Sequence, residues 1–172
     1  MNIFYLNENP IIAAKMQCNK HVVKMILETA QMLCSPFLEG EAPYKRAHYN
    51  HPSTIWVRSS RENYRWTLMH GLALAKEYTE RYGKVHKSEA VIKWCFTHAF
   101  KIDFPEEGLT TPPYAISADM NCRKLITEFD SLSRVEQYQL YYIMDKNHFA
   151  MWPEGKMPEW YEQGAVIYHE LD

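Results

Sequence analysis

Residues 9–34 read NPIIAAKMQCNKHVVKMILETAQMLC, and this stretch decides the fold class. Asn9 suits a helix N-cap and Pro10 suits the first helical position, so the stretch predicts one helix that runs to about Cys34. On a helical wheel, apolar side chains cover most of the circumference and leave a polar strip about 100° wide. That strip carries Gln17, Lys20, His21, Lys24, Glu28 and Gln31.

The polar strip has two interpretations. It is either the solvated edge of a mostly buried helix, in which Lys24 and Glu28 form an ordinary i, i+4 pair, or a row of functional groups that faces a cleft. The strip holds more ionisable side chains than a solvated edge requires, which favours the second interpretation. Asn19 falls within the apolar arc, where a buried amide needs hydrogen-bonding partners.

Helices are also predicted along the rest of the chain. A second helix runs from Pro52 to Tyr82, ends at Gly83 and could break near Ser60 or Gly71. Further helices are predicted from Ser88 to about Phe100, over residues 119–129, and from a capping box at Ser133 to about Asn147. These elements predict an all-α, compact helical bundle.

The run Ile3–Leu6 fits either a minor N-terminal strand or an apolar arm. No linker divides the chain, so residues 1–172 are expected to form one domain. No apolar run approaches the roughly 20 residues that span a bilayer, and the first 20 residues lack a signal-peptide pattern, so a cytoplasmic location is expected. The four cysteines form no C-x-x-C pair and are expected to be buried free thiols.

The net charge of −2 hides a strong asymmetry. Residues 45–93 hold ten Lys or Arg against four Asp or Glu, whereas residues 94–172 hold six against thirteen. Such a basic segment indicates a face for a polyanion, although the two segments could also neutralise each other within one fold. Nucleic acid, and DNA first, is therefore the expected partner.

The basic segment interleaves cations with aromatic rings, a combination that suits phosphates and displaced bases. The alternative is a solvated face held by salt bridges. His48 and His51 match no zinc motif, and the chain has no glycine-rich phosphate loop, so no metal and no cofactor are expected. The candidate nucleic-acid-binding residues are Asn50, His51, Trp56, Arg58, Arg65, Tyr82, Lys84, His86 and Lys87.

Three stretches together resemble a known family. Asn19-Lys20-His21-Val22-Val23-Lys24, followed by Glu28 and Gln31-Met32-Leu33, resembles the first-helix pattern of small phage-borne proteins grouped with the pyrimidine-dimer DNA glycosylases. Asn50-His51-Pro52 with Trp56 resembles a second signature of that grouping, and the stretch from Glu77-Tyr78 to Gly83 resembles the end of its second helix. The resemblance covers about residues 1–87, and it is to a branch other than the studied repair enzyme.

The resemblance implies a compact all-helical fold that binds DNA and acts on a base or its glycosidic bond. It also implies an α-amine nucleophile and an assisting glutamate. Because the bulky Asn2 favours retention of the initiator residue, the amine would be that of Met1. His21 lies near the position where the glutamate would align, and Glu28 lies about two turns further on. Lys20 and Lys24 are alternative amines, because neighbouring like charges disfavour protonation.

The candidate catalytic residues are therefore Met1, Lys20, His21, Lys24 and Glu28. Three functions fit the sequence. The first is a glycosylase- or lyase-like enzyme that acts on a flipped pyrimidine or its glycosidic bond, and the second is a transferase that modifies a DNA base. The third is a non-catalytic nucleic-acid or protein-binding factor whose acidic, aromatic residues 94–172 form the contact surface.

Overall fold

The computed structural model describes residues 1–171 and contains eight α-helices within that range. Their bounds are α1 Pro10–Met16, α2 Asn19–Cys34, α3 Pro52–Ser59, α4 Arg61–Tyr82, α5 Glu89–His98, α6 Asn121–Leu125, α7 Arg134–Asp145 and α8 Glu159–Glu170. No strand occurs in the described part of the chain, so the all-α prediction is confirmed. Buried apolar side chains from Ile3 to Tyr161 form one contiguous core. No helix within residues 1–171 combines the length and the hydropathy needed to cross a bilayer.

The prediction of one helix from Pro10 to Cys34 is wrong, because the helix breaks at Gln17 and Cys18. Tertiary partners satisfy the freed backbone groups: the Tyr142 hydroxyl accepts from the Cys18 amide at 3.2 Å, and Arg81 donates to the Gln17 carbonyl at 2.9 Å. The break removes Gln17 from the polar strip. Its side chain is fully buried, and its amide nitrogen lies 3.1 Å from His70.

The break expected near Ser60 in the second predicted helix is confirmed, and it separates α3 from α4. The Ser60 hydroxyl accepts from the Asn63 amide and is the N-cap of α4. Gly83 ends α4 with a φ of 70°, as a left-handed C-cap. No break occurs at Gly71. A Cβ at that position would lie 3.0 Å from the Thr29 side chain, so the glycine lets α4 pack closely against α2.

The C-terminal third is only partly as predicted. The capping box at Ser133 is confirmed, with the Glu136 side chain accepting from the Ser133 amide at 3.2 Å. The short helix expected over residues 119–129 is limited to α6, because Ile126 is extended. No sequence pattern predicted α8. This helix packs on α7 at Gly164, where any Cβ would overlap Ile143.

The N-terminal segment is an irregular buried arm rather than a strand. The Asn2 side-chain oxygen accepts from the amides of Ile3 and Phe4, and the Tyr138 hydroxyl donates to the same oxygen at 2.7 Å. Phe4 has a φ of +52°, a left-handed conformation that an aromatic residue rarely adopts. The core therefore holds the arm in a single conformation, and this conformation positions Met1.

Candidate active site

A cavity of about 290 Å³ opens where the N-terminal arm, α2 and the end of α7 meet. The arm contributes Met1, Asn2 and Phe4, and the segment from Tyr141 to Phe149 forms the opposite wall. Four of the residues expected to be catalytic lie on the α2 wall: Lys20, His21, Lys24 and Glu28. The structure thus brings all five candidate catalytic residues to one cavity. The four α2 residues of the polar strip thus face a cleft, as its second interpretation predicts, whereas Gln17 points into the core.

The α-amine of Met1 and the carboxylate of Glu28 form the closest charged pair in this cavity. The amine nitrogen lies 3.4 Å from Glu28 Oε1, and the Lys24 ammonium lies 3.9 Å from Glu28 Oε2. The Met1 side chain is only 1% exposed, although the residue as a whole is half-buried. Its accessible surface therefore belongs to the main chain, so the apolar side chain anchors the residue while the amine end stays accessible.

The cavity is strongly cationic. Glu28 is the only carboxylate among the described residues that line it, against the Met1 amine, Lys20, Lys24 and Lys146. The Lys20 ammonium lies 4.8 Å from the centroid of the Phe149 ring, and Lys146 lies 4.7 Å from that of Tyr141. Cations held over aromatic rings beside a single carboxylate favour an anionic ligand that also has a flat apolar part.

His21 is a neutral, buried ring rather than an acid or a cation. Burial, together with the positive charges of Lys146, Lys24 and Lys20, lowers the pKa of His21 to about 3. The ring stacks on Phe4 at 4.0 Å, and its Nδ1 lies 2.6 Å from the Tyr142 hydroxyl. That hydroxyl already accepts from Cys18, so we assign it as the donor to Nδ1, which leaves the His21 proton on Nε2. The structure places Glu28, not His21, at the amine.

The candidate nucleic-acid-binding residues do not all have free side chains. Trp56 is 6% exposed and donates its indole N–H to Thr110 Oγ1 at 3.0 Å, so the expectation that it stacks on a displaced base is wrong. His86 has both ring nitrogens engaged, with Val23 O at 3.2 Å from Nε2 and the Ser88 amide at 3.0 Å from Nδ1. These two side chains support the fold.

The remaining basic-segment candidates lie at three places. Asn50, His51 and Arg58 belong to the segment that leads into α3 and to α3 itself, where His51 Nδ1 accepts from the Ser53 amide as an N-cap. Tyr82, Lys84 and Lys87 are exposed around the turn after α4, which contacts α2 at Val23 through His86. Arg65 lies apart from both, on a separate apolar cleft beside Phe96 and Phe100.

No sequence pattern predicted the far wall of the cavity, which is formed by Tyr141, Lys146 and Phe149. These residues lie more than 100 positions from α2, in the third of the chain whose net charge is acidic. The only local signal is an aromatic and basic cluster at the end of a well-capped helix. Nothing in that cluster indicates which distant helix it faces.

No three His, Cys, Asp or Glu side chains in the described residues converge closely enough to hold a metal ion. All four cysteines, Cys18, Cys34, Cys95 and Cys122, are buried and free, as expected. Comparison with protein-family models finds none that matches the chain, and comparison with curated proteins and with solved structures finds no significant similarity.

Proposed function

We propose that the protein is a DNA base-processing enzyme of the glycosylase or lyase type, with the α-amine of Met1 as its nucleophile. The observation that carries the proposal is the 3.4 Å contact between this amine and Glu28 in a cavity with three lysines. An amine paired with a carboxylate supplies a nucleophile and a proton shuttle within one site. The proposal needs no cofactor.

The chemistry begins with the unprotonated amine, which attacks C1′ of the deoxyribose. The glycosidic bond breaks, and the base leaves with the electron pair and takes a proton from solvent. The attached nitrogen then transfers a proton to Glu28, which returns it to O4′ as the C1′–O4′ bond opens. The product is a protonated Schiff base between Met1 and the sugar, and the Glu28 carboxylate is regenerated.

The other groups in the cavity fit the same substrate. Lys20, Lys24 and Lys146 supply positive charge for the phosphates that flank the sugar. Tyr141 and Phe149 present aromatic surface to a base or a sugar face. The neutral ring of His21 adds a hydrogen-bonding edge without adding a further cation. A neutral ring suits a site in which the amine must lose its proton.

The test is borohydride trapping. The protein is mixed with oligonucleotides that carry an abasic site, a uracil or a pyrimidine dimer, and borohydride reduces any Schiff base to a stable secondary amine. We expect a covalent protein–DNA band with at least one of these substrates. A variant with one glycine inserted before Met1 is the control, because the insertion moves the amine away from Glu28 and should abolish the band. Failure of all three substrates to trap would refute the proposal.

A further inference from the structure

Two arginines share one aromatic ring in the segment that leads into α3. The guanidinium carbon of Arg58 lies 3.7 Å from the centroid of the Tyr49 ring, and that of Arg46 lies 4.4 Å from the same centroid. Tyr49 thus brings two like charges close together, which is unfavourable unless an opposite charge joins them. Proximity to Arg46, together with burial, which is the larger cause, lowers the pKa of Arg58.

No anion from the described part of the chain balances these two cations, since no carboxylate there lies within ion-pair distance of either guanidinium. Arg58 donates one N–H to the Tyr49 carbonyl at 2.7 Å, and Arg46 donates one to the Phe37 carbonyl at 2.9 Å. These bonds fix the side chains but use few of the five donors that each guanidinium carries. The Nε of Arg46 is buried and has no partner at all.

The chain contains a second arrangement of the same kind, and there an acid is present. Arg123 and Arg134 lie 5.1 and 4.9 Å from the centroid of the Tyr114 ring. The hydroxyl of Tyr114 donates to Asp130 Oδ1 at 2.9 Å, so this cluster has a carboxylate bound to its ring, although that carboxylate is not within ion-pair distance of either arginine. Among the described residues no carboxylate bonds to the Tyr49 hydroxyl, so at that cluster a ligand could supply the anion.

The helix that carries Arg58, α3, packs against α2, which forms one wall of the cavity. The pKa of His51 is lowered first by burial, then by the α-amine of Met1 and by His48, and is raised by Glu28. His51 is the N-cap of α3, and the N-terminus of this helix adds partial positive charge. Arg58 lies in the last turn of the same helix.

We propose that Arg46 and Arg58, held by Tyr49, bind a phosphodiester of the nucleic-acid strand whose neighbouring nucleotide occupies the Met1 cavity. This inference rests on the proposed function, because it takes the cavity to hold a nucleotide. A guanidinium group can donate two parallel hydrogen bonds to the oxygens of a phosphate. Arg46 and Arg58 each keep N–H donors free for such bonds. The lysines of the cavity and this arginine pair would then contact successive phosphates.

The test is the salt dependence of binding. A fluorescent single-stranded oligonucleotide with a central tetrahydrofuran abasic analogue is titrated with protein at several salt concentrations, and anisotropy gives the Kd. Each phosphate contact contributes a slope of about −0.7 in log K against log salt for single strands, so Arg46→Gln and Arg58→Gln should each weaken binding about fivefold at 0.1 M salt. Arg123→Gln is the matched control, because it removes an arginine that lies over a tyrosine ring at the other cluster.

An unchanged slope in both Arg46→Gln and Arg58→Gln, or no binding of the oligonucleotide by the parent protein, would overturn this inference. Arg58→Lys keeps the charge and should keep the slope, which separates phosphate binding from a folding defect. The two proposals can fail separately. Trapping without a change of slope leaves the enzyme and removes the phosphate site, whereas a reduced slope without trapping leaves the phosphate site and removes the enzyme.

Discussion

Replacement of Glu28 by glutamine keeps the shape of the side chain and removes its charge. The α-amine of Met1 then loses a partner at 3.4 Å and Lys24 loses one at 3.9 Å. Glu89 offers a close control, since its carboxylate lies 3.9 Å from Lys93 with the same i, i+4 spacing, and its side chain is 20% exposed against 15% for Glu28. Glu28 differs from Glu89 in its contact with the amine and in its position, since Glu89 lies in the first turn of α5 and Glu28 in the interior of α2.

The expected magnitudes follow from these distances. An exposed i, i+4 pair contributes about 0.3–0.5 kcal/mol, whereas unit charges 3.4 Å apart interact by about 1 kcal/mol even in a water-like dielectric. Glu28→Gln should therefore lower the free energy of unfolding by about 1–1.5 kcal/mol, and Glu89→Gln by no more than about 0.5 kcal/mol. Urea denaturation monitored by circular dichroism measures both changes.

The larger effect of Glu28→Gln should be on catalysis. A positioned proton donor or acceptor typically contributes 10²–10⁴-fold to the rate, so we expect single-turnover cleavage or trapping to slow by about a hundredfold or more. Glu89→Gln should retain the parent rate. If Glu28→Gln reacts within about threefold of Glu89→Gln while both remain folded, Glu28 does not shuttle the proton, and the mechanism is wrong.

Three further predictions concern the fold around the site. Burial lowers the pKa of His21 to about 3 and that of His70 to about 4. Both neutral rings therefore contribute stability above pH 6.5 that is lost as the pH falls. Denaturant titrations should show that the free energy of unfolding falls by about 2 kcal/mol for each histidine between pH 7 and pH 5. Gly164→Ala should cost about 1–3 kcal/mol, measured by thermal unfolding, because the new methyl overlaps Ile143; an unchanged Tm would mean that α8 does not pack there. Trp56→Phe should cost about 1–2 kcal/mol through its lost N–H bond but leave the Kd for DNA within twofold, and a large loss of affinity would restore its role in base stacking.

Local signals in the sequence predicted most of the helix ends. Pro10, Ser60, Gly83 and Ser133 act through their own backbone preferences or caps, which short-range reasoning can identify. The break at Cys18 has no such signal. It exists because partners more than 60 residues away, among them Arg81, satisfy the freed groups.

The same distinction applies to the site. The helical wheel and the family resemblance brought Met1, Lys24 and Glu28 together as candidates, because α2 itself sets the spacing of two of them. Lys146 could not be found in this way, since its place at the cavity depends on how α7 packs against the arm. Trp56 was misplaced because an aromatic residue in a basic segment is equally suited to a core position.

The most direct test of the central claim is to locate the covalent bond in a borohydride-trapped complex. Nuclease treatment, proteolysis and tandem mass spectrometry of the peptides identify the nitrogen that carries the reduced sugar. We predict the sugar remnant on the α-nitrogen of Met1. A remnant on Lys20, Lys24 or Lys146 instead, with an unmodified Met1, would contradict the account.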